Sequence, residues 1–147
     1  FEIGRAIEYR DGGDVASITT GILTNRAMAA ADELKAEGIN VSVLHMHTVK
    51  PLDEGAIMKA ARRASLVVVA EEHSRIGGLG SAVTDLLAGS FGAGGPQILT
   101  LGVPDVFTDK YGSQDDLLEI YGLQPQQLAQ SVRDAVSSSS PITAVGG

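Results

Sequence analysis

The run Leu66-Val67-Val68-Val69-Ala70 is apolar at every position. A strand with one wet face alternates apolar and polar residues, so a strand without alternation has to be covered on both faces. No apolar stretch of this chain approaches the roughly 20 residues that cross a bilayer, so the cover must be protein. In a chain of 147 residues this points to a parallel sheet with helices on both sides.

The rest of the sequence supplies matching pieces. Val15–Thr20 (VASITT) reads as a second buried strand that stops at Gly21, and Val41–Met46 (VSVLHM) as a third. Between them, Thr24 to Glu37 reads as a helix with Ala27, Ala30, Ala31 and Leu34 at helical spacing and Gly38 as its stop. Asp53 is an N-cap for a helix from Glu54 to Arg63 that carries Ile57, Ala60 and Ala61 on one face. Gly77 to Gly80 leads into a helix over Ser81–Leu87, Gly89 to Gly95 reads as a glycine-rich loop, and Ile98–Leu101 is the last strand. Ser113 and Asp116 resemble a capping pair for a short helix ending near Gly122, and Pro125 opens a final helix to about Val136.

At the other end, Ala6–Arg10 reads as a short edge strand. It is followed by a turn at Asp11-Gly12-Gly13, where the expected role of glycine is its tolerance of positive φ. Strands separated by helices become parallel neighbours. The expected architecture is a three-layer α/β/α sandwich around a mixed five-stranded sheet, with the first strand as the antiparallel edge. Residues 1–136 form one domain in this reading and 137–147 a flexible tail. Starting at Phe1 rather than Met fits a cleaved protein or a piece of something longer.

Composition removes several functions. Eleven basic residues face 18 acidic ones, a net charge of −7 with no basic cluster, and aromatics are 4%. Phosphate backbones and stacked bases need the opposite, so nucleic acid is not an expected partner. The chain has no cysteine, hence no disulfide, thiolate zinc site or cysteine nucleophile. Neither a signal peptide nor a lipidation signal is visible. A cytoplasmic protein without membrane contact is expected.

Open parallel sheets bind ligands at the carboxyl ends of strands, where the winding reverses. Here the reversal falls between Val15–Thr20 and Leu66–Ala70. The candidate crevice therefore consists of Thr20, Gly21, Glu71, Glu72, His73, Gly77, Gly78 and Gly80. Glu71, Glu72 and His73 offer acid–base groups, or hydrogen bonds to loops. Gly77-Gly78-Leu79-Gly80 offers N–H groups to an anion, or allows a helix to approach a strand closely. It is not a dinucleotide fingerprint, because the position needing a small residue is Val83. His45 and His47 share one side of a strand and, with Glu71 and His73, could ligate a metal; otherwise His45 ends its strand and His47 bonds within the next loop. Lys50 either pairs with a crevice carboxylate or is solvated. Asp105, Asp109, Lys110 and Tyr111 lie in an excursion whose Val103, Val106 and Phe107 pack on a partner or on the chain's own last helices.

Four segments in order carry a resemblance. They are Thr19-Thr20-Gly21; Met46-His47-Thr48-Val49-Lys50-Pro51-Leu52-Asp53; Glu71-Glu72-His73 with Gly77-Gly78-Leu79-Gly80; and Gly102-Val103-Pro104-Asp105. Together they resemble the C-terminal domain of the transketolase family, over about residues 2–136. The pattern is most similar to the separate C-terminal subunit of split transketolases, with 1-deoxy-xylulose-5-phosphate synthase and 2-oxo-acid dehydrogenase β subunits as relatives. The resemblance implies the same mixed five-stranded fold. It also implies a place in a thiamine-diphosphate enzyme that moves two-carbon ketol units between sugar phosphates. In that family the pyrimidine-binding and diphosphate-binding domains hold the cofactor and magnesium, and no cofactor ligand of theirs transfers onto this sequence.

The expectation is thus a non-catalytic section of such an enzyme, with no cofactor of its own. It would support the pyrimidine domain, help assemble a homodimer and flank the substrate channel. Three alternatives remain open at this point. The first is a regulatory or anion-binding module using the crevice. The second is a part of a 1-deoxy-xylulose-5-phosphate synthase or 2-oxo-acid dehydrogenase β subunit. The third is a small hydrolase or lyase built on Glu71, Glu72 and His73.

Overall fold

Helices cover both faces of a five-stranded sheet, and residue parity along each strand decides which helix covers which side chain. The computed structural model describes residues 4–47, 50–71, 78–102, 119 and 121–138. Its strands are β1 (Ile7–Arg10), β2 (Val15–Thr19), β3 (Val41–His45), β4 (Leu66–Glu71) and β5 (Gln97–Gly102). The helices within these residues are α1 (Leu23–Lys35), α2 (Glu54–Arg63), α3 (Leu79–Phe91) and α4 (Pro125–Ser137). The sheet order is β1-β3-β2-β4-β5, with only β1 antiparallel.

The unbroken run of β4 is buried at all six positions, as is every residue of β2. Val15, Val41, Val43, Leu66, Val68 and Ala70 point to the layer formed by α1 and α4, where they meet Leu23, Ala31, Leu34, Leu128 and Val132. The alternate residues Ala16, Ile18, Leu44, Val67 and Val69 meet Ile57, Ala61, Leu79, Val83 and Leu87 of α2 and α3. Each such Val, Leu or Ile contributes about 1.5–3 kcal/mol by leaving water. Two apolar layers on one sheet are the expected three-layer sandwich.

The edge strand runs antiparallel as expected, but beside β3. Both edges of β2 are taken, one by β3 and one by β4. The link from β1 to β2 must therefore cross the start of β3. This crossing, not positive φ, explains the glycine at 12: neither Gly12 nor Gly13 has positive φ. A Cβ at Gly12 would lie 2.6 Å from the Val41 carbonyl carbon and 2.7 Å from its nitrogen. Asp14 fastens the crossing: its N–H donates to the Asn40 carbonyl (2.9 Å) and its Oδ2 accepts from the Asn40 N–H (2.8 Å).

Some boundaries move. The helix expected over Ser81–Leu87 runs instead from Leu79 to Phe91, followed by a 3-10 turn at Gly92–Gly94. Gly89 lies inside the helix, at a cost of about 1 kcal/mol relative to Ala. The buried Leu79, Val83 and Leu87 outweigh it. Gly92 (φ +61°) ends α3 and Gly38 (φ +83°) follows α1. Asp53 caps α2 as read, its Oδ1 accepting from the Ala56 N–H at 3.1 Å. Pro125 opens α4 behind a Gln124–Gln127 capping box. The helix expected from Ser113, the excursion with Val103, Asp105, Val106, Phe107, Asp109, Lys110 and Tyr111, and the tail from residue 139 lie outside the described residues.

Candidate functional site

The winding reverses between β2 and β4, and Thr19 pairs with Ala70 across them. Their carboxyl ends, Thr20-Gly21 and Glu71, are therefore neighbours although far apart in sequence. Thr20 and Gly21 build the turn into α1. The Leu23 N–H donates to the Thr20 carbonyl (3.2 Å), the Thr24 N–H donates to the Gly21 carbonyl (3.3 Å), and Gly21 supplies φ +57°.

Glu71 is 4% exposed at the end of β4. Its Oε2 accepts from the Leu79 N–H at 2.6 Å and from the Gly80 N–H at 3.3 Å. Gly78, the N-cap, has no side chain to offer, so a carboxylate from the neighbouring strand caps α3 instead. These are the N–H groups that the sequence left open to an anion, and Glu71 already occupies them. Gly80 also permits the close approach of helix to strand: a Cβ there would stand 3.3 Å from Thr100 Cγ2. The structure thus brings Thr20, Gly21, Glu71, Gly78 and Gly80 to one end of the sheet. Glu72, His73 and Gly77 lie outside the described residues.

A second cluster at the same end was not singled out as a unit from the sequence. Thr19 is fully buried, and its Oγ1 lies 2.7 Å from Thr24 Oγ1 and donates to the Leu44 carbonyl at 3.3 Å. Thr24 Oγ1 in turn lies 2.6 Å from His45 Nδ1. With the Thr19 proton committed to Leu44, all three contacts are satisfied in only one direction. His45 Nδ1–H donates to Thr24, Thr24 to Thr19, and Thr19 to Leu44. Burial first, and the neighbouring His47 second, hold His45 below the usual histidine range. The two imidazoles meet edge to face at 4.7 Å, with Tyr9 at 5.9 Å from His45. The available signal was Thr24: a hydroxyl in the first turn of a helix, one turn beyond the strand end that carries Thr19.

Of the candidate metal set, His73 lies outside the described residues. Among the described residues no three His, Cys, Asp or Glu side chains gather to hold an ion. Lys50 is exposed and lines an open groove of about 640 Å³ with Pro51, Leu52, Ala82, Leu86, Glu54 and Asp85, between the starts of α2 and α3. No helix of the described residues is long and apolar enough to cross a membrane. The chemistry on view among the described residues is therefore fastening: the ends of β2 and β3 are tied to the start of α1, and the end of β4 to the start of α3.

Comparison with known proteins gives this geometry a context. The family model described as the transketolase C-terminal domain matches residues 4–128. A putative uncharacterized transketolase family protein of Sinorhizobium fredii is 42% identical over 136 residues, which are 91% of this chain and 39% of the relative. A 1-deoxy-D-xylulose-5-phosphate synthase of Syntrophotalea carbinolica is 39% identical over 90% of this chain and 20% of its own length. Among solved structures, a split gene transketolase described as an inactive beta4 tetramer superposes with a TM-score of 0.84 at 38% identity. It covers 95% of this chain and 45% of its own. The chain thus spans less than half the length of each of these relatives.

Proposed function

Because the chain belongs to the transketolase C-terminal domain family, we propose that it acts as the C-terminal section of a split transketolase. The single observation that carries this is the likeness to a split gene transketolase across nearly the whole chain, at 38% identity and a TM-score of 0.84. In this reading the complete enzyme is cytoplasmic and a homodimer of its full assembly. It uses thiamine diphosphate and magnesium to move two-carbon ketol units between sugar phosphates. The pyrimidine-binding and diphosphate-binding domains are the partners of this section.

The section's own work is structural. The described residues do not fit a diphosphate with its metal ion: the buried carboxylate at the switch point is spent on α3, and no ligand set of three converges. No chemical step is therefore assigned to this chain. Glu71, Thr19, Thr24 and His45 instead hold the carboxyl end of the sheet rigid, as a platform for the domains that carry the reaction.

The test is an assay of ketol transfer from xylulose 5-phosphate with thiamine diphosphate and magnesium. Activity is expected from the complete assembly and not from the 147-residue chain by itself. Turnover by the isolated chain would overturn the proposal. A second reading, part of a 1-deoxy-xylulose-5-phosphate synthase, is favoured by the 39% identity to such an enzyme. Carbon dioxide release from pyruvate and glyceraldehyde 3-phosphate by the same assembly would select it.

A further inference from the structure

In one part of the core, small residues face small residues. Interiors reach full density when large side chains on one element meet small ones on the next. The buried face of α1 carries Ala27, Ala30 and Ala31. The sheet opposite offers them Ser17 of β2 and Ala70 of β4, and a void remains between the two layers. Leu128 and Val132 of α4 complete its lining. The centre of a water-sized sphere has about 20 Å³ to move in there. One water needs about 10–15 Å³ by that measure.

Water is nevertheless a poor occupant. Inside a protein it is held by roughly three hydrogen bonds. Ser17 carries the one polar side chain among the described residues that line the void. The backbone of β2 is committed on both edges, because Ser17 pairs with Val43 of β3 and with Val68 of β4. Ser17 is 6% exposed, and among the described residues its hydroxyl has no hydrogen-bond partner. A buried hydroxyl in that state is rare and costly. The void thus joins an apolar wall to a single unmet hydrogen-bonding group.

We infer that this void is a binding site for a small neutral molecule with an apolar body and one hydroxyl, of the class of a short-chain alcohol. The ligand hydroxyl bonds to Ser17, and its carbon end lies against Leu128 and Val132. Ser17 precedes Thr19 by two residues on the same face of β2, and Ala27 follows Thr24 by about one turn of α1. The occupant therefore sits one layer beneath the tie that holds the start of α1. A ligand of about three heavy atoms binds at about millimolar strength at best. The site accordingly answers to an abundant molecule rather than to a trace signal.

The experiment uses the natural assembly that contains this domain. Ethanol is titrated in while NMR follows the methyl groups of Leu34, Leu128 and Val132, and crystals of the assembly are separately pressurised with xenon. A saturable shift of these methyls and a xenon peak beside Ser17 are expected. Ser17→Ala removes the polar partner alone. It is expected to weaken ethanol binding about fivefold and to leave xenon in place. Ala30→Val fills the void and is expected to abolish binding of both probes. If Ala30→Val fails to fold, Ser17→Val fills the same space from the sheet side and carries the same expectation. Three results overturn the inference: methyl shifts that rise linearly with ethanol and never saturate, ethanol bound equally well by wild type and Ser17→Ala, or both probes still bound once the void is filled.

Discussion

Two ties at the carboxyl end of the sheet do the same job with different chemistry. At β4, the carboxylate of Glu71 accepts two backbone N–H groups from the start of α3. At β2 and β3, a chain of neutral groups runs from His45 through Thr24 and Thr19 to the Leu44 carbonyl, and holds the start of α1. The first tie places an acceptor where the helix dipole favours negative charge. The second starts from an imidazole whose Nδ1–H would donate in either protonation state, and it is burial and the neighbouring imidazole that favour the neutral ring. The difference should appear both in the cost of breaking each tie and in its response to pH.

The largest effect is expected for Glu71→Ala, which leaves two N–H groups without their acceptor in a buried place and should cost about 2–4 kcal/mol. Urea unfolding of the 147-residue chain measures it. Glu71→Gln keeps an acceptor and should cost roughly half as much. Equal losses for Ala and Gln would show that charge, not capping, matters there. Thr24→Val comes next, at about 1–2 kcal/mol, since it removes a hydroxyl joining two groups without changing the volume much. A loss as large as that of Glu71→Ala would erase the contrast between the ties.

The pH response separates them further. His45 titrates lower in the folded chain than in the unfolded one. On falling pH the unfolded state takes up the proton first, so stability is full above the ordinary histidine range. It is lost as pH falls through that range and then through the lower folded value. His45→Gln should flatten this loss, as followed by melting temperature between pH 8 and 5. A curve unchanged by His45→Gln removes the histidine from the account. The smallest effect belongs to an exposed tie away from the sheet end. Arg133 of α4 donates to Glu37 at 2.6 Å and reaches Glu33 at 3.1 Å. Arg133→Ala should cost under about 1 kcal/mol and less in high salt, because water already screens the pair.

The sheet was legible because burial leaves a mark on sequence. The unbroken Leu66–Ala70 run had to be interior, and its position fixed the switch point beside Thr19. Asp53, Gly38 and Pro125 also announced their roles, since caps depend on residues close in sequence. The extent of α3 was hidden because Gly89 reads as a breaker when tertiary burial of Leu87 cannot be seen. Gly12 looked like a turn glycine. Its real constraint is the backbone of Val41, a long-range contact with no local signature. In the candidate crevice, Glu71 was picked out for acid–base work or for hydrogen bonds to loops, and the structure shows it accepting from the N–H groups of Leu79 and Gly80. Glu72 and His73 lie outside the described residues. The histidine chain escaped because its members come from three elements, and only the register of β2 against β3 aligns Thr19 with His45.

The carboxylate of Asp53 is shared: Oδ1 holds the first turn of α2 and Oδ2 holds the N–H of Ala6 on the incoming strand. The domain therefore has a mechanical joint at its point of entry. Force applied to the polypeptide ahead of residue 4 would be shared between the short edge strand and α2, and through Ile57 and Ala61 it would reach the core.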